Sequence, residues 1–204
     1  MDVAATALTP LGITVLALLF ERPMHPYEMF QLLIQRRDDR LVKIRPGSLY
    51  HTVDRLERQE LVAVLGTERE GNRPERTTYA ITEAGRAALT VRIREILATP
   101  VSEYPQFPVA LAEAHNLDAD TVCELLGERV SRIDEDIREL EGMRQAVVAE
   151  DIPRVFWFGM DYLRAVAKAE ADWLRGLIVE IESGELPWLT EELISKRNPQ
   201  LAKD

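Results

Sequence analysis

The sequence predicts a mainly α protein: an N-terminal winged helix-turn-helix (helices plus a β-hairpin wing) followed by an α-helical dimerisation domain. Three observations predict it. Up to Leu61, apolar residues recur at helical spacing in three segments. After Leu61 the period shortens to that of two strands, "LVAVLGTERE" and "RTTYAIT", separated by the Gly, Asn and Pro of "EGNRPE". Beyond Pro100, Pro105 and Pro108, which mark a linker, only helical stripes follow. Three helices and then a hairpin is the winged-helix order, so residues 1–98 are expected to form one domain and residues 99–204 another.

Each element has its local reason. Thr9 is an N-cap residue with Pro10 at the first helical position, and "LGITVLALLF" carries the first helix to about Glu21, before Pro23 stops it. A second helix starts near Pro26, with Tyr27, Phe30, Leu33 and Ile34 at helical spacing and the charged "RRDDR" at its end. In "KIRPGSLYHTVDRLERQELV", Pro46 fixes φ in the first turn of a third helix. Free N–H groups and the small Ser48 then stand at its N-terminus, an end that could hold a phosphate. At about 100° per residue, Leu49, Val53 and Leu56 share one stripe while Gly47, His51, Asp54, Arg55 and Arg58 cluster on the other side.

Thr82 caps a fourth helix running to Pro100, with Glu83 near its positive pole. "VALAEAHNLDAD" gives a short helix and a turn. In the long helix after it, Leu126, Val130, Ile133, Ile137 and Leu140 form a coiled-coil-like seam. The last helix, from about Arg154 to Ser183, places Leu163, Val166, Trp173, Leu177 and Ile181 on its apolar side, with Gly184 as a C-cap.

The totals bound the function. With 204 residues, 46% hydrophobic and 29% charged, the chain can bury a core. Cys123 is the single cysteine, so an internal disulfide is impossible, no zinc cluster surrounds it, and a cytoplasmic location fits. The apolar run Leu11 to Phe20 is too short to span a bilayer and lacks a preceding basic segment, so no membrane partner or secretory signal is expected. The net charge of −10 argues against nucleic acid only on average. Residues 1–90 carry 12 Lys and Arg against 12 Asp and Glu, whereas residues 91–204 carry 13 against 23. The whole deficit therefore lies in the second half, leaving room for basic patches in the first.

Duplex DNA needs an element that fits the major groove, a way to position it on phosphates, and few bulky groups at the helix start. A small-residue helix N-terminus, a polar outer face and a hairpin bearing Arg69, Arg73 and Arg76 meet all three, although Glu68, Glu70 and Glu75 dilute those cations. Here Ser48 and Tyr50 would contact phosphates, His51 and Arg55 would face bases, and Arg73 with Arg76 would hold the flanking backbone. Tyr27, Lys43, Arg45, Asp54, Arg58 and Arg69 complete the candidate DNA-binding set.

Within this half, "LTPLGITVLALL", "PMHPYEM", "IRPGSLYHTVDRLERQELV" and "RTTYAITEAGRAAL" resemble the PadR family of transcriptional regulators. The resemblance includes Ser48-Leu49-Tyr50, the step from Leu56 to Leu61-Val62, and the exit Tyr79-x-Ile81-Thr82-x-x-Gly85-Arg86. Pro26 stands where the family often has Gly, which the first turn of a helix tolerates. "LDADTVCELLGERVSRIDEDIREL" and "AEADWLRGLIVEIESGELPW" look like the longer helical C-terminal domain of one branch of the family, whose helices form the dimer.

The resemblance implies a regulator, most relatives being repressors, that meets a palindromic operator as a homodimer. The seam Leu126, Val130, Ile133, Ile137 and Leu140, with Leu163, Val166, Trp173, Leu177 and Ile181, is then the candidate dimerisation surface. Trp157 and Trp173 could line a pocket for a flat aromatic effector, although tryptophans at helical spacing commonly serve as core or interface anchors. His25, His51 and His115 lie in separate elements and no nucleophile, phosphate-loop or metal-ligand motif occurs, so neither an enzyme nor a cofactor or metal is expected. A helical adaptor using its winged helix to bind protein is the alternative. It would call for an apolar outer face on the third helix, where this chain is polar.

Overall fold

A computed structural model describes residues 8–68 and 76–188. The chain divides into two compact units, Met1–Glu103 and Tyr104–Asp204. In the first unit α1 (Pro10–Glu21), α2 (Pro26–Gln35) and α3 (Pro46–Arg58) precede an antiparallel pair, β1 (Val62–Glu68) and β2 (Arg76–Ile81), and α4 (Glu83–Ala98) follows. The strands run in register from Val62 opposite Ile81, with a bulge between Val64 and Gly66. Met24, between α1 and α2, adds a one-residue third strand by exchanging both backbone hydrogen bonds with Tyr79, each 3.0 Å.

One core joins these elements. Val15, Leu16 and Leu19 of α1 meet Met29 and Leu33 of α2, Leu49, Val53 and Leu56 of α3, Val62 of β1 and Tyr79 of β2. Each such side chain stabilises the unit by about 1.5–3 kcal/mol relative to leaving it in water. The inner line of α2 differs from the expected one: Pro26, Met29 and Leu33 are buried, whereas Tyr27 and Ile34 are exposed. Leu33 falls between Pro26 and Met29 on the helical wheel, while Tyr27 and Ile34, seven residues apart, share the outer face.

The turn from α3 into β1 is a Schellman motif. The Leu61 N–H reaches the Leu56 carbonyl at 2.9 Å, the Glu60 N–H reaches that of Glu57 at 2.8 Å, and Glu60 takes a left-handed φ of 59°. Thr82 caps α4 by accepting from the Gly85 N–H at 3.0 Å. Gly85 itself is forced by a close approach, since a Cβ there would lie 2.1 Å from the Leu61 carbonyl oxygen.

The second unit holds α5 (Gln106–Ala112), α6 (Ala119–Ala149) and α7 (Phe158–Glu182). Pro108 lies within the first turn of α5 rather than in a linker, a position where its missing N–H costs nothing. Asp118 caps α6, accepting from the N–H and the hydroxyl of Thr121 at 2.8 Å each, and these bonds hold its carboxyl below the usual range. Residues Arg154–Phe156 form a 3-10 turn, so the last α-helix begins four residues later than expected. Gly184, φ 76°, terminates it, with the Leu186 N–H reaching back to the Glu180 carbonyl.

Helices α6 and α7 run antiparallel, laced by Arg129–Glu170 and Arg164–Glu141 ion pairs. This pairing engages much of the expected seam within one chain. Leu126, Val130 and Ile181 are buried against one another's helices together with Leu174, and Ile133 and Leu177 pack on the same cluster. Leu140 is also buried, and Ile137 and Leu163 are half-buried. Within one chain, then, α7 already covers most of the apolar stripe of α6. Of the ten residues expected to meet a second copy, only Val166 (47% exposed) and Trp173 (55%) remain open.

Candidate nucleic-acid interface

The third helix presents a clean division. Leu49, Thr52, Val53 and Leu56 are buried, and Thr52 satisfies its hydroxyl on the Ser48 carbonyl at 2.8 Å. On the other side Gly47, Ser48, Tyr50, His51, Asp54 and Arg58 are exposed, with Lys43 and Arg45 exposed just before the helix. The N-cap, Arg45, makes no side-chain capping bond, so the first N–H groups of α3 keep their capacity for an acceptor. A Cβ on Gly47 would meet nothing within 4 Å. Packing therefore does not explain why this position lacks a side chain.

Arg55 does not belong to that face. Its guanidinium Nη2 donates to Thr9 Oγ1 at 2.8 Å, and the same oxygen accepts the Gly12 N–H at 3.2 Å as the N-cap of α1. Expected to face bases, Arg55 instead turns to α1 in this structure: at roughly 100° per residue it sits at the edge of the outer cluster, where α1 is close enough to capture it. It holds α3 to the start of α1.

Two further groups border the face. Arg76, exposed at the start of β2, and Tyr27, 52% exposed in the first turn of α2, come from different elements. Arg69 and Arg73 lie outside the described residues. His25 caps α2: its Nδ1 accepts the Tyr27 N–H at 3.0 Å. Its ring stands edge-on to Tyr50, centroids 6.3 Å apart and planes at 75°. Burial, and then the nearby Arg76, push the imidazole below its ordinary range, with Glu28 opposing. The missed signal was a His directly before a Pro at a helix start, where an acceptor side chain is wanted.

The second unit carries the tryptophans, but not as one pocket. Trp157 donates its Nε1–H to the Ile152 carbonyl at 2.9 Å, and Arg144 lies over its ring at 5.9 Å. Trp173 is two-thirds of the way along α7, roughly 24 Å of helical rise from Trp157. It borders a shallow cavity of about 320 Å³ with Trp188, His115, Leu177 and Ile181. The two expected effector residues are thus separated by the helix itself. Cys123 is half-buried, and burial with Glu182 and Asp120 nearby pushes its thiol up, which disfavours a reactive thiolate. Among the described residues no helix is long and apolar enough to cross a membrane.

Residues 15–91 match the model of the transcriptional regulator PadR-like family. No curated protein matches the chain. Among solved structures it is similar to Bacillus subtilis PadR in complex with operator DNA, with a TM-score of 0.70 at 16% identity over 84% of this chain and 97% of that one. It is also similar to the Vibrio cholerae virulence activator AphA (0.68, 19% identity, 85% and 98%) and to Bacillus subtilis PadR in complex with p-coumaric acid (0.67, 13%, 84% and 95%). At these identities the structures speak for the fold, a winged helix with a helical second unit. The family match lies across α1 to α4, the segment that carries the outer face of α3 and both strands, so this part of the chain is similar to the PadR-like transcriptional regulators.

Proposed function

We propose that the chain is a sequence-specific DNA-binding repressor that grips a palindromic operator as a homodimer, residues 1–98 holding the DNA and residues 99–204 pairing the copies. The observation that carries this is α3 itself, whose inner face is fully used by the core while Gly47, Ser48, Tyr50, His51, Asp54 and Arg58 stand bare on the other. Seated in the major groove, Ser48 and Tyr50 lie where phosphates pass. His51 and Asp54 offer a ring N–H and a carboxylate to base edges, the latter suited to a cytosine amino group. Lys43, Arg45, Arg58 and Arg76 supply the charge, Tyr27 borders the same surface, and Arg69 and Arg73, outside the described residues, add two cations to the sequence between the strands. A dimer so placed acts by occupying duplex that other proteins need, in the cytoplasm where the genome of such a regulator resides.

Dimerisation is assigned to the outer stripe of α7. Phe158, Tyr162, Val166 and Trp173 are all about half exposed or more and fall within about 80° of one another around the helix. An apolar row of that length on a surface helix suits burial against another copy. Ligand release is assigned to a flat aromatic molecule beside Trp173 and Trp188, in line with the p-coumaric acid held by one structural neighbour.

The test is fluorescence anisotropy against duplexes selected from a random library, read at several salt concentrations and followed by footprinting. A protected palindrome with affinity falling steeply in salt supports the reading. Failure to enrich any duplex would overturn it in favour of the adaptor alternative, which the polar outer face of α3 already disfavours.

A further inference from the structure

His25 stands where three elements converge: the start of α2, the outer face of α3 through Tyr50, and the foot of the wing through Arg76. Its role as N-cap fixes more than the helix. Because Nδ1 accepts the Tyr27 N–H, that nitrogen carries no proton, and a neutral ring must hold its proton on Nε2. The surroundings keep the ring neutral: it is partly buried, Arg76 repels a second positive charge, and Glu28, the opposing carboxylate, is engaged by Arg22. A proton on Nδ1 would also collide with the Tyr27 N–H. Among the described residues no hydrogen bond engages Nε2, and the His25 side chain is half-buried rather than buried. The fold thus orients a neutral N–H donor, fixes its tautomer and leaves it unused, beside an exposed phenol and an exposed guanidinium.

We propose that His25 is a neutral phosphate anchor, donating Nε2–H to a backbone phosphate beside the groove that α3 enters. Tyr50 holds the plane of the ring, and Arg76 supplies the charge that brings the phosphate there. This rests on the DNA-binding reading above and adds to it a contact that releases no counterion of its own. A cationic contact and a neutral one differ in this respect: removing the first flattens the salt dependence by about one, removing the second leaves it unchanged.

The experiment compares wild type with His25→Ser and Arg76→Ala on the selected operator. Serine keeps an N-cap acceptor but is too short to reach a phosphate. His25→Ser should melt like wild type and bind about five- to tenfold more weakly, as loss of one hydrogen bond implies, with the salt slope intact. Arg76→Ala should flatten the slope by about one. A methylphosphonate scan of the flanking strand should find one position that weakens wild type and has no effect on His25→Ser. In the wild-type complex, imidazole nitrogen-15 spectra should show His25 still neutral, with its Nε2 signal moved by DNA.

Wild-type affinity in His25→Ser would reduce His25 to a helix cap. A flattened slope in that variant, or a doubly protonated ring on DNA, would overturn the neutral contact. Should serine disturb the fold, the wild-type spectra decide alone, an unmoved Nε2 signal sinking the proposal. If wild type itself enriches no duplex, it is the DNA-binding reading that fails.

Discussion

At the scale of single residues, Gly47 and Arg55 show how folding and function divide neighbouring positions of α3. A glycine inside a helix destabilises it by about 0.5–1 kcal/mol relative to alanine, and nothing near Gly47 would obstruct a methyl group. Gly47→Ala should therefore raise the urea midpoint slightly while weakening operator binding, because the added methyl stands at the end of α3 that approaches the phosphates. Equal affinity in the two proteins would mean the duplex does not come close there. Arg55 should behave in the opposite way. Losing its bond to Thr9 should cost about 1–1.5 kcal/mol of stability in Arg55→Ala. In a double-mutant cycle with Thr9→Ala the two losses should fall short of additive, since both remove one interaction. Additive losses together with a changed base preference would restore Arg55 to the reading face. Periodicity alone could not separate these residues: it places Arg55 by angle, but the reach of a guanidinium toward α1 is a tertiary fact.

At the scale of elements, the chemistry of helix ends was legible and the destination of apolar stripes was only half so. Thr9-Pro10, Thr82 and Gly184 act as the sequence suggests because capping is a contact among neighbours in the chain. The seam of α6 was visible as a seam, but a heptad-like row looks the same whether its partner is a second copy or, as here for Leu126 and Val130, the next helix of the same chain. Glu60 offers an element-level test. It occupies the left-handed position of the Schellman turn that sends the chain from α3 into β1, where a side chain costs about 1–2 kcal/mol. Glu60→Gly should recover part of that cost, about 1 kcal/mol after the added freedom of the unfolded chain is subtracted. Chemical denaturation would read it as a higher midpoint at unchanged slope. Because the variant keeps the backbone carbonyl that accepts from Thr82 at 2.8 Å, a lower midpoint would show that the freedom glycine gives the unfolded chain outweighs the strain relieved in the turn.

At the scale of the whole molecule, the proposed homodimer requires an apolar surface that pairs two copies, because one winged helix makes too few contacts to select a site from a genome. Two surfaces of the second unit predict opposite outcomes for the same kind of substitution. Ile133 packs on the cluster between α6 and α7, so Ile133→Asp would bury an unpaired carboxylate and cost several kcal/mol, melting that unit rather than separating copies. Tyr162 and Val166 lie on the outer stripe of α7, 68% and 47% exposed. Replacing both by Asp should leave the far-ultraviolet circular dichroism and the melting of an isolated copy nearly unchanged. The protein should then sediment as a monomer and lose the affinity that comes from engaging two half-sites, while each winged helix keeps its weak, salt-sensitive hold on a single one. If the doubly substituted protein remained a dimer at the same concentration, the outer stripe of α7 would not be the interface. The exposed apolar residues of the α6–α7 turn, Val155 and Phe156, would then be the next surface to alter.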